Sequence, residues 1–444
     1  MATYKTPGVF VEEIPKLPPS IAEVETAIPA FIGYTQVTNK GADGTIYPTR
    51  ITSLLEYTTL FGTAATTTIN VVIDPTDNHV VSAKAAAEPV NTMYYHMQMY
   101  FANGGGPCYI VSVGANAAIL DTDLSKGLDA IAKFDEPTLL VFPEANGLAA
   151  VNQGTLYAAA LAQAALLKDR FVIMDCNGDS AANLRDNTGT NNLKYGAAYI
   201  PALKTTVGYV CDDTTIKFST DNGATFPAAI STVQTSNNVL YNNAKLAALG
   251  LGVTLPPAAT MAGVYAAVDS TRGVWKAPAN VSLNYVSGLT KSITDEDQKD
   301  LNVTGTGKSI NAIRKFTGKG IMVWGSRTLA GNDNEWRYIP VRRFFNMVEE
   351  SAKKATEAFV FEPNDANTWT KIQGMVENYL ITQWRAGALQ GAKPEHAFYV
   401  AVGLGKTMTA LDILEGRLIV EIGMAVVRPA EFVVLRFSHM LAQS

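Results

Sequence analysis

A chain of 444 residues, 47% hydrophobic and 17% charged, holds enough apolar material for more than one core, which excludes disorder over most of its length. A net charge of −5 without clustered Lys or Arg excludes a nucleic-acid binder, whose phosphate contacts require such clusters. Lys5, Glu12 and Glu13 interrupt the amino terminus and no run approaches the ~20 apolar residues of a membrane span, so synthesis in the cytoplasm and no insertion into lipid are expected.

Residues 1–26 read as an extended arm. Gly8 to Ile14 is β-prone, Pro15, Pro18 and Pro19 forbid a helix, and a second extended piece runs from Ser20 to Thr26. The apolar run Ile28 to Tyr34 opens the globular part. Residues 63–89, polar and rich in Thr and Ala, read as a surface insertion. Met93, Met97, Tyr100 and Phe101 then recur at helical spacing, Asn103-Gly104-Gly105-Gly106-Pro107 stops that helix, and Cys108 to Val113 follows as a buried strand. Thr138 to Phe142, Leu156 to Leu167 and Phe171 to Cys176 read as strand, alanine-rich helix and strand. That β-α-β order calls for a parallel sheet. Cys108, Cys176 and Cys211 are odd in number and far apart, as expected of reduced core residues.

Polar and β-branched residues around Asp221-Asn222-Gly223 predict a surface hairpin within a second insertion near 209–245. Further on, Val341, Phe344, Phe345 and Val348 share one helical face, and Ile372, Met375, Val376, Tyr379, Leu380 and Trp384 share another. Leu418, Val420, Ile422, Met424 and Val426 alternate, which predicts a half-buried strand of about ten residues. Phe432 to Phe437 is again strongly β-prone.

No arrangement for catalysis emerges. Gly305-Thr306-Gly307-Lys308-Ser309 and Gly403-Leu404-Gly405-Lys406-Thr407 end like phosphate loops, but the glycine required five places earlier is replaced by Asn302 and Val400. His79, His96, His396 and His439 have no metal-ligand spacing, and no G-x-S-x-G elbow occurs. Asp295-Glu296-Asp297 lacks the turn glycine of a calcium loop and reads as a solvated loop or helix start. No catalytic residue, cofactor or metal is expected.

Several phrases carry a resemblance. Pro7-Gly8-Val9-Phe10-Val11-Glu12-Glu13, Ala30-Phe31-Ile32-Gly33-Tyr34, Phe101-Ala102-Asn103-Gly104-Gly105 and, most specifically, Asp269 to Asn280 (D-S-T-R-G-V-W-K-A-P-A-N) resemble contractile tail sheath proteins of phages, tailocins and extracellular injection systems. Glu335 to Arg343, Phe361-Glu362-Pro363-Asn364, Gly387-Ala388-Leu389 and Arg428-Pro429-Ala430-Glu431-Phe432 complete the pattern. It is thin over residues 45–89 and 208–257. The opening phrase Met1 to Pro7 is most similar to extracellular injection systems.

The resemblance implies a multidomain α/β and α+β protein: an inner domain built from both termini with exchanged β-strand arms, and outer α/β domains from the middle of the chain. The corresponding boundaries are 1–26 for the amino-terminal arm, 27–257 for the outer region with its two insertions, 258–427 for the inner sheath domain and 428–444 for a carboxyl-terminal β arm. It implies a structural subunit that polymerises as a helical homopolymer, in stacked six-fold rings, around an inner tube protein, bounded by baseplate and terminal cap proteins. Val9, Phe10, Val11, Ile14, Ile21 and Val24 would form the amino-terminal contact. Phe432, Val433, Val434, Leu435 and Phe437 would add to a neighbour's strand containing Leu418, Val420 and Ile422, since an unpaired sheet edge accepts another chain. Asp412, Glu415 and Arg417 are the candidates for facing the tube. The rival readings are another self-assembling tube or capsid-like protein, and an α/β enzyme.

Overall fold

The computed structural model describes residues 21–115 and 117–436. The apolar runs of the chain's first half become strands of one eight-stranded sheet. Pro29–Thr35 lies inside it, parallel to Cys108–Ala115 on one side and to Leu139–Val141 on the other. Phe171–Asp175, Gly196–Ile200 and Asn311–Phe316 continue the parallel run. Thr49–Ile51 and Gly320–Trp324 close its two ends as antiparallel edges.

A parallel sheet must be covered on both faces, and alternate residues of each strand supply the two cores. Phe31, Leu139, Val141, Phe171, Ile173 and Tyr199 pack with residues of the helices Met93–Ala102 and Ala258–Arg272. Ala30, Ile32, Leu140, Val172, Met174 and Ile200 pack with Asp121–Ile131 and Ala150–Leu167. Both sides being buried explains why these strands read as unbroken apolar runs. The expected β-α-β unit is Leu139–Val141, Ala150–Leu167 and Phe171–Asp175, with Leu140 opposite Val172. Helix Ala258–Arg272 crosses Met93–Ala102 closely at Gly263, where a Cβ would stand 2.5 Å from the Tyr100 carbonyl oxygen.

The chain does not divide at 257/258, the boundary expected between outer and inner regions. Residues 24–350 with 428–436 form a larger unit, and residues 21–23 with 351–427 form a smaller one. The physical reason is pairing across the expected boundary: Asn311 and Ala312 join the sheet beside Tyr199 and Ile200, and Ala258–Arg272 supplies one of its covers. The two expected insertions are also not separate. Ile69–Ile73, Val80–Ala85, Ile216–Ser219 and Ala228–Ala229 make one four-stranded sheet, in which Ile69 to Val72 run parallel to Ile216 to Ser219. Helix Asn238–Leu249 covers it through Leu240, Tyr241 and Ala244. A three-stranded antiparallel sheet of Gly252–Leu255, Leu203–Gly208 and Val286–Leu289 completes the larger unit.

In the smaller unit, Asp365 caps the helix Ala366–Arg385, which buries Ile372, Met375, Val376, Tyr379 and Leu380. The helix packs on Phe398–Val402, which pairs antiparallel with Val420–Met424, Val400 facing Ile422. The second strand has five residues, where the alternation suggested about ten. Ile21 is buried in this unit, and Glu23 accepts a hydrogen bond from Gln383 at 2.7 Å. Among the described residues, no helix is long and apolar enough to cross a membrane.

Candidate assembly interface

Near each end of the described chain, a segment of the larger unit is fixed by an ion pair between a buried arginine and a carboxylate. At the amino-terminal root, Arg343 donates to both oxygens of Asp269, at 3.0 and 2.5 Å, with the two side chains 3% and 6% exposed. The same guanidinium donates to the Thr26 carbonyl at 2.9 Å, and Thr26 Oγ1 donates to Asp269 Oδ2 at 2.6 Å. Thr138 Oγ1 adds a second donor to the Thr26 carbonyl at 2.8 Å. Beneath them the Tyr265 ring lies 4.7 Å from the guanidinium carbon, a cation–π contact, and shares a hydroxyl hydrogen bond with Tyr199 at 2.8 Å. Asp269 is the first residue of the D-S-T-R-G-V-W-K-A-P-A-N phrase and closes the helix Ala258–Arg272. Arg343 comes from the helix Ile339–Thr356, which begins in the larger unit.

At the carboxyl-terminal root, Arg327 grips Glu431 through Nε and Nη2, the shortest bond being 2.6 Å. Asn302 donates to Glu431 Oε1 at 2.7 Å and Tyr338 to Oε2 at 3.2 Å. Arg327 is itself held by Asn311, whose side chain accepts the Arg327 N–H at 2.7 Å and donates to its carbonyl at 2.8 Å. Arg428 donates to the Asn334 carbonyl at 2.7 Å. Burial alone would raise the Glu431 carboxyl, but its bonds to Arg327, Asn302 and Tyr338 outweigh that and hold it below the usual range.

Immediately beyond this root the described residues 432–436 have no secondary structure, and Phe432, Val433, Val434 and Leu435 are 68–78% exposed. Four consecutive apolar side chains in water form an unpartnered β-prone segment. In the smaller unit Leu418, Val420 and Ile422 are half-buried, and the Phe398–Val402 and Val420–Met424 ladder ends with that pair among the described residues. Of the amino-terminal candidates, Ile21 is buried and Val24 half-buried, while Val9, Phe10, Val11 and Ile14, like Phe437, lie outside the described residues.

Asp412, Glu415 and Arg417 are brought together: Arg417 Nη2 lies 2.8 Å from Asp412 and 2.6 Å from Glu415. Asn364 donates to the Arg417 carbonyl at 3.0 Å, joining this cluster to the Phe361-Glu362-Pro363-Asn364 loop, where Phe361 is fully exposed at φ +71°. The phosphate-loop look-alikes have structural explanations. Lys308 is buried and donates to the Arg185 carbonyl, and Gly403 to Thr407 form a tight turn closed by the Met408 N–H on the Gly403 carbonyl. Thr294 caps Asp295–Asn302 in a capping box with Asp297, so the acidic cluster is a helix start. Asp74, Asp77 and His79 meet on an exposed turn, His79 Nδ1 2.6 Å from Asp77. Sequence reasoning missed the four root residues, Asp269, Arg327, Arg343 and Glu431. Their signal was charge within otherwise apolar or aromatic phrases.

Residues 150–329 match the phage tail sheath protein central domain and residues 331–439 the phage tail sheath C-terminal domain, together well over half of the chain. The helical sheath of the anti-feeding prophage in its contracted state is 34% identical, with a TM-score of 0.68, over 98% of this chain and 99% of that one. The chain belongs to the contractile tail sheath family. A second sheath, from the contracted PVC sheath complex of an extracellular contractile injection system, is 30% identical over 99% of this chain and 98% of that one, with a TM-score of 0.67. The tail sheath protein of Vibrio phage KVP40 is 25% identical over 126 residues, which are 28% of this sheath chain and 19% of that relative's length. The α/β and α+β fold is thus that of the sheath family, whose role is structural. The Asp269 and Arg343 root and the Arg327 and Glu431 root lie inside the matched domains.

Proposed function

We propose that this chain is the sheath subunit of a contractile injection particle, polymerising into a helical cylinder around an inner tube and shortening to drive that tube through a target envelope. What supports the reading is that the same chain has an exposed apolar segment, Phe432 to Leu435, and, in the smaller unit, a sheet of only two strands among the described residues, with an edge to extend. Segment and sheet are complementary between copies: Phe432, Val433, Val434, Leu435 and Phe437 of one subunit add to the strand of Leu418, Val420 and Ile422 in the next. Val9, Phe10, Val11, Ile14, Ile21 and Val24 make a second tether. Each ladder bond contributes ~0.5–1.5 kcal/mol and each buried apolar side chain ~1.5–3 kcal/mol. One arm is therefore modest, and a lattice repeats it in every subunit.

Contacts between different patches on identical copies do not close on themselves and give an open helix, here of stacked six-fold rings. Tethers that stay paired while the globular bodies repack let the lattice pass from long and narrow to short and wide. The extended state is held kinetically, and the free-energy difference drives the tube. Asp412, Glu415 and Arg417, bound into one cluster, face the inner tube protein. Baseplate and cap proteins bound the cylinder, and the particle, made in the cytoplasm, is released to act outside the cell. The subunit carries no catalytic step. Negative-stain images of the purified full-length protein test the reading: striated hollow cylinders support it, whereas subunits that stay dispersed at high concentration contradict it.

A further inference from the structure

The chain passes between its two units at 23/24, 350/351 and 427/428. Glu431 stands four residues after the last of these crossings, and the exposed apolar segment begins at the very next residue. The stretch 428–431 has no secondary structure. Fixing a short coil does little for a fold, and ordering it costs conformational entropy. Yet its one carboxylate carries two donors from Arg327, one from Asn302 and one from Tyr338. Such a grip determines where the chain is as well as adding to the stability of the body.

We infer that Glu431 is a positioning residue for assembly: the Arg327, Asn302 and Tyr338 socket pins the root of the carboxyl-terminal arm to its own larger unit, so that the free tether starts at Phe432. This rests on the strand-exchange reading of function. Releasing Glu431 would free the three residues back to Arg428, which stays on the Asn334 carbonyl, about 10 Å of extra reach. A longer tether dilutes the arm at the correct neighbour's edge and lets it reach others. The Arg343 and Asp269 pair fixes the Thr26 carbonyl near the other end, where Ile21 and Glu23 beyond it are held in the smaller unit. A pinned carboxyl-terminal root keeps that tether's length constant while bodies repack.

The test uses full-length subunits. Glu431→Gln leaves the buried Arg327 with a neutral acceptor, so some loss of melting temperature is expected; assayed well below that melt, the variant should raise the protein concentration needed for cylinders about ten-fold or more. A nitroxide at position 434 should become more mobile in the isolated variant than in the isolated wild type. A second variant, Asn302→Cys with Glu431→Cys in a Cys211→Ser background, should show the same assembly loss and regain cylinders when a short bismaleimide joins the two thiols. Wild-type assembly and label mobility in Glu431→Gln would overturn the inference, and so would a cross-linked subunit that cannot assemble. Failure of strand exchange itself reads out separately. A Val434→Cys thiol that stays reactive inside wild-type-like cylinders contradicts that reading and the positioning role with it.

Discussion

Arg343 and Asp269 stand 74 positions apart in sequence and form a buried, doubly bonded ion pair that also holds the Thr26 carbonyl. Removing one partner of such a pair strands the other charge away from water, which typically costs ~3–5 kcal/mol. Asp269→Ala is therefore expected to lower unfolding free energy by about that amount in urea titrations of the isolated subunit. A loss below about 1 kcal/mol would mean that the pair is solvated and weak.

Two buried carboxyls govern how the larger unit responds to pH. Glu144 accepts the Tyr34 N–H at 2.7 Å and the Thr92 N–H at 2.9 Å, yet burial pushes it up to about 7. Asp175 accepts the Ala258 N–H at 2.8 Å, and burial pushes it up to about 8. Both hold protons in the folded state at pH values where the unfolded chain has released them. Their contribution to stability is complete below about pH 4 and is lost as pH rises through 7 to 8. The melting temperature should fall by at least about 4 °C between pH 5 and pH 9, and Asp175→Asn, which keeps the acceptor oxygen, should flatten that fall. A melting temperature that is level or rising over this range, in both proteins, would contradict the assignment.

Gly263 offers a purely steric test. An added methyl would lie 2.5 Å from the Tyr100 carbonyl oxygen, a backbone atom that cannot swing aside. Gly263→Ala should force the helices Met93–Ala102 and Ala258–Arg272 apart and cost about 1–3 kcal/mol, despite the better helix propensity of alanine. Equal or greater stability of the variant in thermal melts would show that the crossing is looser than its geometry.

Val434 separates assembly from folding. Its side chain is exposed, so Val434→Pro should leave the melting temperature of the isolated subunit unchanged while removing one ladder donor and weakening cylinder formation. A chain restricted to residues 21–444 should likewise remain soluble and sediment as single subunits. Long cylinders from either protein would place the tethers elsewhere.

The elements that reasoning from residues located are those whose signal is local. Phe171 to Met174 is apolar throughout because both faces of its sheet are covered, Asn103-Gly104 ends its helix through side-chain and backbone hydrogen bonds, and Ile372 to Leu380 marks one helical face by its period. What escaped is pairing over distance. Nothing near Asn311 announces a parallel partner at Tyr199, so the boundary at 257/258 looked real. Nothing near Ile69 announces Ile216, so one small subdomain looked like two insertions. The helix Ile339–Thr356 showed its apolar face through Val341, Phe344 and Val348, whereas the structure also buries Arg342, Arg343, Asn346 and Glu350. Charged residues on a helix ordinarily face water. Here distant carboxylates, carbonyls and aromatic rings take them up, as the Trp336 ring does for Arg342, 4.3 Å from its guanidinium carbon. The root at Glu431 was not legible, because Arg327 and Glu431 are 104 residues apart.

A density map of assembled cylinders, at a resolution that traces side chains, measures the central claim directly. It should show Phe432 to Leu435 hydrogen-bonded along the Val420–Met424 strand of an adjacent copy while Glu431 remains on Arg327 of its own. Finding that segment paired within its own molecule, or lying unpaired along the cylinder wall, would contradict the account.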